Sequence, residues 1–185
     1  MEAKEIFKPY AKATLVLKDQ FLSIEKQYNS EKDNKKKKLL KKQMGTFKSL
    51  INENFRQTGD FVPADASKKA LEYCAVLATA SNSPKDIFKL GWNDQLAFEG
   101  QRNRTECKLK YEHKIPVKQL VDKLINAKSY NDALAIFMSQ EIVWVTNEEE
   151  ARLPRSNRPN PDEEYRKAGI SVIKNPNLPG HLHLK

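Results

Sequence analysis

The sequence predicts an α+β protein, with a helical N-terminal part followed by a C-terminal half that contains strands. Over much of residues 10–77, apolar residues recur at steps of three and four, as on one face of an amphipathic helix. Residues 141–146, EIVWVT, form instead a continuous run rich in β-branched and aromatic residues, which is typical of a strand. We therefore expect a helical region in residues 1–83 and a mixed domain in residues 84–185.

Two helices that pair as a hairpin are predicted first. Apolar residues fall at mostly helical spacing over residues 10–28, and the polar sequence NSEKDN at residues 29–34 interrupts the pattern. The pattern resumes over residues 35–55. A third helix is expected after the turn-forming sequence QTGDFVPADAS, with Asp65 or Ser67 as its N-terminal cap.

The C-terminal half is predicted to alternate between helices and strands. A short helix over residues 84–98 precedes a strand in CKLKYEHKIP, residues 107–116. Two short helices follow from Pro116, with SYND as the turn and cap between them, and they lead to the strand at residues 141–146. A helical turn in NEEEARL, a brief helix in DEEYRK and an edge strand after Gly169 complete the order.

The charge of the chain favours a polyanionic partner. Its 185 residues include 33 Lys and Arg against 24 Asp and Glu, a formal net charge of +9. Each phosphate that a cation neutralises releases condensed counterions, which favours nucleic acid without any sequence recognition. Acidic membranes or proteins could use the same charge. The densest basic segment is KKKKLLKK, in which Lys35, Lys36, Lys37, Lys38, Lys41 and Lys42 are candidate phosphate ligands on a helix.

Cysteine content and the N-terminal sequence lead us to expect a cytoplasmic protein without a membrane partner. Cys74 and Cys107 lie far apart, so neither a disulfide framework nor a zinc module is expected. The start of the chain, MEAKEIFKPYAKATLVLK, has only a short apolar run and early acids, unlike a signal peptide or a membrane span.

One constellation in the C-terminal half suits phosphodiester hydrolysis, which needs a base, a divalent cation and ligands for that cation. The sequence YEHKIP, residues 111–116, ends a predicted strand, and VWVTNEEEARL supplies a second strand and a helix. Over about residues 102–153 the chain resembles the HNH, or His-Me finger, endonucleases, whose ββα unit carries an acid or a histidine beside the catalytic histidine.

The resemblance implies a C-terminal ββα-metal-like unit that carries a helical insertion. His113 would be the general base, Glu112 a metal ligand and Glu150 the second ligand, with Asn147 as an alternative. Two features depart from the family: an acid replaces the usual helix histidine or asparagine, and about 25 residues separate the strands. Carboxylates suit Mg²⁺ or Mn²⁺, which prefer oxygen ligands, so either ion is the expected cofactor.

Other interpretations stay open beside this one. His113 and Glu112 fit an ordinary partly buried strand, and the acids at residues 148–150 fit a helix N-terminus that interacts with the helix dipole. Asp94 followed by Glu106 and Lys108 is a weaker match to the PD-(D/E)xK nuclease pattern. The basic residues that precede or end the first strand would grip the nucleic acid: Arg102, Arg104, Lys108, Lys110 and Lys114.

The sequence hypothesis is therefore a metal-dependent DNA endonuclease of restriction or phage type. A symmetric homodimer would suit the cleavage of both strands of a palindrome. The alternative hypothesis is a basic module that binds DNA or RNA and whose ββα unit has lost its metal site.

Overall fold

The structure is a computed structural model that describes residues 3–81, 86–103 and 105–177. It divides into two compact units. The helical unit comprises Met1–Thr58 and Val117–Ser139, and the sheet unit comprises Gly59–Pro116 and Gln140–Lys185. Mixed helix and strand confirm the predicted α+β class. Within the described residues, no helix combines the length and the apolar character that crossing a membrane requires.

Two long helices and two short helices build the helical unit. Helix α1 spans Ala3–Ser30 and helix α2 spans Asn34–Gly59. The shorter helices are α5, Val117–Ile125, and α6, Tyr130–Met138. Ser129 caps α6 by accepting a hydrogen bond from the backbone N–H of Asp132, as predicted for SYND.

Contacts between side chains confirm the predicted hairpin of α1 and α2. Asn54 Nδ2 donates to Thr14 Oγ1 at 3.0 Å, and Lys48 Nζ lies 5.2 Å from the centre of the Phe21 ring. At the other end of the pair, Lys37 lies over the ring of Tyr28. Residues later in α1 therefore contact residues earlier in α2, which means that the two helices run antiparallel.

A four-stranded sheet in the order β2-β3-β1-β4 forms the centre of the sheet unit. The strands are β1, Ala64–Ser67; β2, Leu109–His113; β3, Ile142–Thr146; and β4, Val172–Ile173. Strand β1 pairs parallel with β3, whereas β2 pairs antiparallel with β3 and β4 antiparallel with β1. The continuous apolar run of β3 fits its interior position, because both faces of a central strand are covered.

Helices and short 3₁₀ turns surround this sheet. Helix α3 spans Lys68–Ser81, α4 spans Gln95–Glu99, α7 spans Asn147–Glu150 and α8 spans Pro161–Lys167. Two 3₁₀ turns, Ile87–Lys89 and Trp92–Asp94, occupy part of the predicted helix over residues 84–98. Gly169 follows α8 with φ of 67°, a left-handed conformation that favours glycine and ends the helix as expected.

Two differences from the sequence prediction concern β1 and the boundary between units. The segment of β1, ADAS, was predicted as a turn, yet pairing with β3 makes it a strand. Ser67 nevertheless caps α3, since its Oγ accepts a hydrogen bond from the Ala70 N–H. The predicted boundary at residues 83 and 84 does not match the units, because β1 and α3 belong to the sheet unit whereas α5 and α6 belong to the helical unit.

Candidate catalytic site and nucleic-acid interface

Strand β2 carries Glu112 and His113 on opposite faces of the sheet. Both residues remain in the ladder with β3, where Glu112 pairs with Val143 and His113 pairs with Ile142. Consecutive residues of a strand point to opposite faces. Val143 belongs to the core on one face, with Tyr165, whereas Ile142 belongs to the core on the other face. The predicted base and the predicted metal ligand therefore do not share a pocket.

A buried arginine occupies the position beside Glu112 where a metal ion would be needed. Arg158 Nη2 donates to Glu112 Oε1 at 2.6 Å, and the Arg158 side chain is only 2% exposed. Its Nη1 donates to the backbone oxygen of His113 at 2.9 Å, and its Nε donates to the Pro154 oxygen at 2.8 Å. Burial raises the pKa of Glu112, and the Arg158 charge opposes that rise only in part.

The other two predicted metal ligands have different surroundings. Glu150 lies near enough to Glu112 for its charge to add to the rise in the Glu112 pKa. Asn147 Nδ2 donates to the Cys107 oxygen at 2.6 Å, and the Asn147 N–H donates to the Lys108 oxygen at 2.7 Å. Asn147 thus fastens the chain just before β2 to the end of β3.

His113 packs against the backbone at Gly59. A Cβ atom placed on Gly59 would lie only 3.2 Å from His113 Nε2 and 3.8 Å from Ile142 Cδ1. The neighbouring Tyr111 hydroxyl donates to the Gly59 oxygen at 2.9 Å. The half-buried imidazole therefore lies against Gly59 and Ile142, on the face of the sheet away from Glu112 and Arg158.

These contacts do not fit the predicted Mg²⁺ or Mn²⁺ site. Within residues 3–81, 86–103 and 105–177, no group of three or more His, Cys, Asp or Glu side chains is arranged to hold a metal ion. The carboxylate of Glu112 is neutralised by Arg158. The nitrogen of the Asn147 amide donates to backbone, whereas its Oδ1 is buried and has no hydrogen-bond partner among the described residues. The sequence could not reveal this, because β-strand alternation separates adjacent residues and Arg158 arrives from a loop.

The acidic helix after β3 has a structural explanation in Glu149. This residue is 1% exposed, and its Oε2 accepts hydrogen bonds from Ser67 Oγ at 2.6 Å and from the Thr146 N–H at 2.9 Å. The Thr146 hydroxyl in turn caps α7 by accepting from the Glu149 N–H. Glu149 therefore joins the start of α7 to the end of β1, and the capping box accounts for one of the three predicted helix acids.

The residues of the second nuclease pattern are engaged in local contacts. Asp94 Oδ2 accepts from the Gly91 N–H at 2.9 Å, which closes a 3₁₀ turn. Glu106 accepts a hydrogen bond from the side chain of Asn103. These contacts stabilise turns and give no support to a PD-(D/E)xK site.

The basic residues near β2 differ in their accessibility. Lys114 is buried, and its Nζ lies 2.7 Å from Glu141 Oε2 and 2.6 Å from Asp162 Oδ1. Burial alone would lower the pKa of Lys114, but the two carboxylates outweigh it and raise the pKa. Lys114 is thus unsuited to the predicted phosphate contact. Arg102 and Lys108 are exposed, Lys110 is half-buried, and Arg104 lies outside the described residues.

Five of the six predicted nucleic-acid ligands on α2 are exposed lysines. Lys37 is half-buried over the Tyr28 ring, and the others are exposed. Within the described part of the chain, none of these six lysines forms an ion pair, since no carboxylate oxygen lies within 4.0 Å of its Nζ. The exposed members are Lys35, Lys36, Lys38, Lys41 and Lys42.

The chain was also compared with known proteins. It matches no family model, no curated protein and no solved structure.

Proposed function

We propose that this protein is a basic nucleic-acid-binding module that acts without cleaving its ligand. The observation that carries the proposal is the uneven distribution of charge between the two units. The helical unit has 17 Lys and Arg against 9 Asp and Glu, whereas the sheet unit has 16 against 15. Nearly all of the net charge of +9 therefore belongs to the helical unit.

Charge concentrated in this way favours a polyanion more than an even distribution would. At 0.1 M salt the Debye length is about 10 Å, so only cations that lie close together act jointly on one stretch of phosphates. The lysines of α2 satisfy this condition, since six of them fall within eight consecutive residues. In the sheet unit, cations such as Lys114 and Arg158 are instead buried and paired with carboxylates.

Binding is expected to be strongly dependent on salt. The dissociation constant for a fluorescently labelled 20-base-pair DNA duplex should rise by about 100- to 1,000-fold between 50 and 200 mM KCl, as for four to six neutralised phosphates. Fluorescence anisotropy across this range gives the slope of log Kd against log salt. Failure to bind any nucleic acid at 50 mM KCl, or binding that salt does not weaken, would overturn the proposal.

Cleavage is the property that separates this proposal from the endonuclease hypothesis. Supercoiled plasmid incubated with the protein in Mg²⁺, in Mn²⁺ or in EDTA should stay supercoiled in all three. This is expected because His113 and Glu112 face opposite sides of the sheet and Arg158 neutralises Glu112. Metal-dependent nicking that is absent from a mock preparation and is lost in His113→Ala would reject the non-catalytic assignment and restore the nuclease.

A further inference from the structure

The outer half of the α1–α2 hairpin is exposed along its whole length. We call residues 22–50 the arm; it includes the end of α1 and the first two-thirds of α2. The structure describes all of these residues, and none of their side chains is buried. The nearest buried side chains along the chain are Phe21 on α1 and Ile51 on α2, both at most 2% exposed. The core of the helical unit therefore ends where the arm begins.

The two helices of the arm pack against each other along one line of contact, which we call the seam. Half-buried apolar residues line it, and Lys37 Nζ lies 5.0 Å from the centre of the Tyr28 ring. Asp33 caps α2, since its carboxylate accepts hydrogen bonds from the backbone N–H groups of Lys35 and Lys36. The seam uses one side of α2 and leaves its opposite side to solvent. The half-buried apolar residues of the arm, which we assign to this seam, are Leu22, Ile24, Tyr28, Leu40, Met44 and Phe47.

Within the arm, the charged residues on the solvent side of α2 are all lysines. From Asn34 to Asn52 the sequence contains seven lysines, no acid and no arginine. At 100° per residue, Lys35, Lys38 and Lys42 follow one stripe of the helix and span about 10 Å along its axis. Such a stripe presents several ammonium groups to one surface at the same time.

Two leucines lie within this cationic side. Leu39 is 57% exposed and Leu50 is 46% exposed. They are eleven residues apart, close to three helical turns, so they lie on the same side of α2. At 100° per residue, Lys35 and Lys42 lie about 40–60° to one side of Leu39 and Lys36 lies about 60° to the other side, so the apolar stripe has cations along both edges.

The side-chain types on this surface restrict the ligand. Lysine is a point charge that contacts phosphate, whereas bidentate recognition of guanine is chiefly the role of arginine, which the surface lacks. Binding to single strands depends on aromatic side chains that stack on bases. The two aromatic residues of the arm, Tyr28 and Phe47, lie half-buried in the seam. The surface thus suits the backbone of a duplex better than unpaired bases.

The width of the element favours DNA over RNA. A helix with its side chains is about 10–12 Å across, which matches the major groove of B-form DNA at about 12 Å. The major groove of A-form RNA is too deep and narrow to admit it. Cations at the edges of the helix would meet the phosphates that border the groove, and the leucines would face its floor.

Resting on the nucleic-acid-binding function proposed above, we infer that the arm binds duplex DNA, with α2 along the major groove. The lysines contact the phosphates of both strands, and the binding has no sequence preference. The other basic residues of the protein then add only a weaker, diffuse attraction.

Two variants with equal charge test this inference. Each replaces four exposed lysines of the helical unit by glutamine, which has a similar helix propensity. The arm variant is Lys35→Gln, Lys38→Gln, Lys41→Gln and Lys42→Gln. The control variant is Lys12→Gln, Lys118→Gln, Lys123→Gln and Lys128→Gln. Circular dichroism and thermal unfolding establish that both fold as the parent does.

The arm variant is expected to bind duplex DNA about 100-fold more weakly than the parent at 100 mM KCl. Its salt slope should fall by about 3 to 4, since each phosphate contact contributes about 0.9. The control variant should lose less than about threefold, because screening confines the effect of distant charges. Two duplexes of unrelated sequence should bind equally to the parent. The single strand and an RNA duplex of the same sequence should bind at least tenfold more weakly.

Several results would overturn the inference while leaving the proposed function intact. These are equal losses in the two variants, tighter binding of the single strand, or equal binding of RNA and DNA duplexes. Vesicles containing phosphatidylserine test the membrane that Leu39 and Leu50 would also suit. Binding to these vesicles without binding to any nucleic acid would reject both the inference and the proposed function.

Discussion

Arg158→Met is expected to destabilise the protein by about 3–5 kcal/mol at pH 7, because it leaves the half-buried carboxylate of Glu112 without its cation. Arg158 is 2% exposed, and besides Glu112 it binds the backbone oxygens of His113, Lys114 and Pro154. The variant loses the ion pair and these hydrogen bonds together. A loss of this size is a large part of the 5–15 kcal/mol that typically stabilises a domain.

The loss should also depend on pH in a defined direction. Burial raises the pKa of Glu112 above its ordinary value of 4.5. The native state therefore holds more protons than the unfolded state just above pH 4.5, and the contribution of this group to stability falls as the pH rises through its raised pKa. Without Arg158 the pKa rises further, so the deficit of Arg158→Met should shrink as the pH is lowered from 7 towards 4.5.

Urea unfolding at several pH values between 4.5 and 7 measures both effects. Arg155→Met is the matched control, since Arg155 is exposed and its loss should change the free energy of unfolding by less than about 0.5 kcal/mol. Adding Glu112→Gln to Arg158→Met removes the stranded charge and should recover part of the stability. A deficit that is equal at every pH and unchanged by Glu112→Gln would mean that the charge of Glu112 is not its cause.

Trp144→Ala should cost about 3–5 kcal/mol, the usual range for removing a buried large aromatic side chain. Trp144 is fully buried in the interior strand β3, and its ring meets the edge of the Tyr111 ring at a centroid distance of 4.7 Å. Ala66 of β1 pairs with it across the ladder. The side chains of β1 are too small to fill the cavity that the indole would leave.

Trp144→Phe separates the packing of this ring from its polar atom. Among the described residues, the buried indole N–H of Trp144 has no hydrogen-bond acceptor. Removing an unsatisfied buried donor relieves about 1–3 kcal/mol, which should offset much of the packing lost with the smaller ring. The free energy of unfolding of Trp144→Phe, measured in urea, is therefore expected to lie within about 1 kcal/mol of that of the parent. A cost close to that of alanine would show that the indole N–H is satisfied in solution.

The sequence alone determined the elements whose signals are local. Periodic apolar residues identified α1 and α2, the run EIVWVT identified β3, and Ser129 identified the start of α6. These signals succeed because helix periodicity, β-branched residues and caps act within a few residues of the chain. The dense lysine cluster of α2 was also apparent from the sequence, whereas its exposure was not.

Only the tertiary structure decided which residues meet across the chain. Strand β1 carries no strand signal of its own and forms because β3 supplies its hydrogen bonds. Glu112 and His113, the predicted metal ligand and base, are adjacent in the sequence. Because both remain paired with β3, their side chains lie on opposite faces of the sheet. Arg158, which neutralises Glu112, comes from a loop 46 residues away. Long-range pairing and burial determine these relations, because a short motif specifies residue types but not the faces on which folding leaves them.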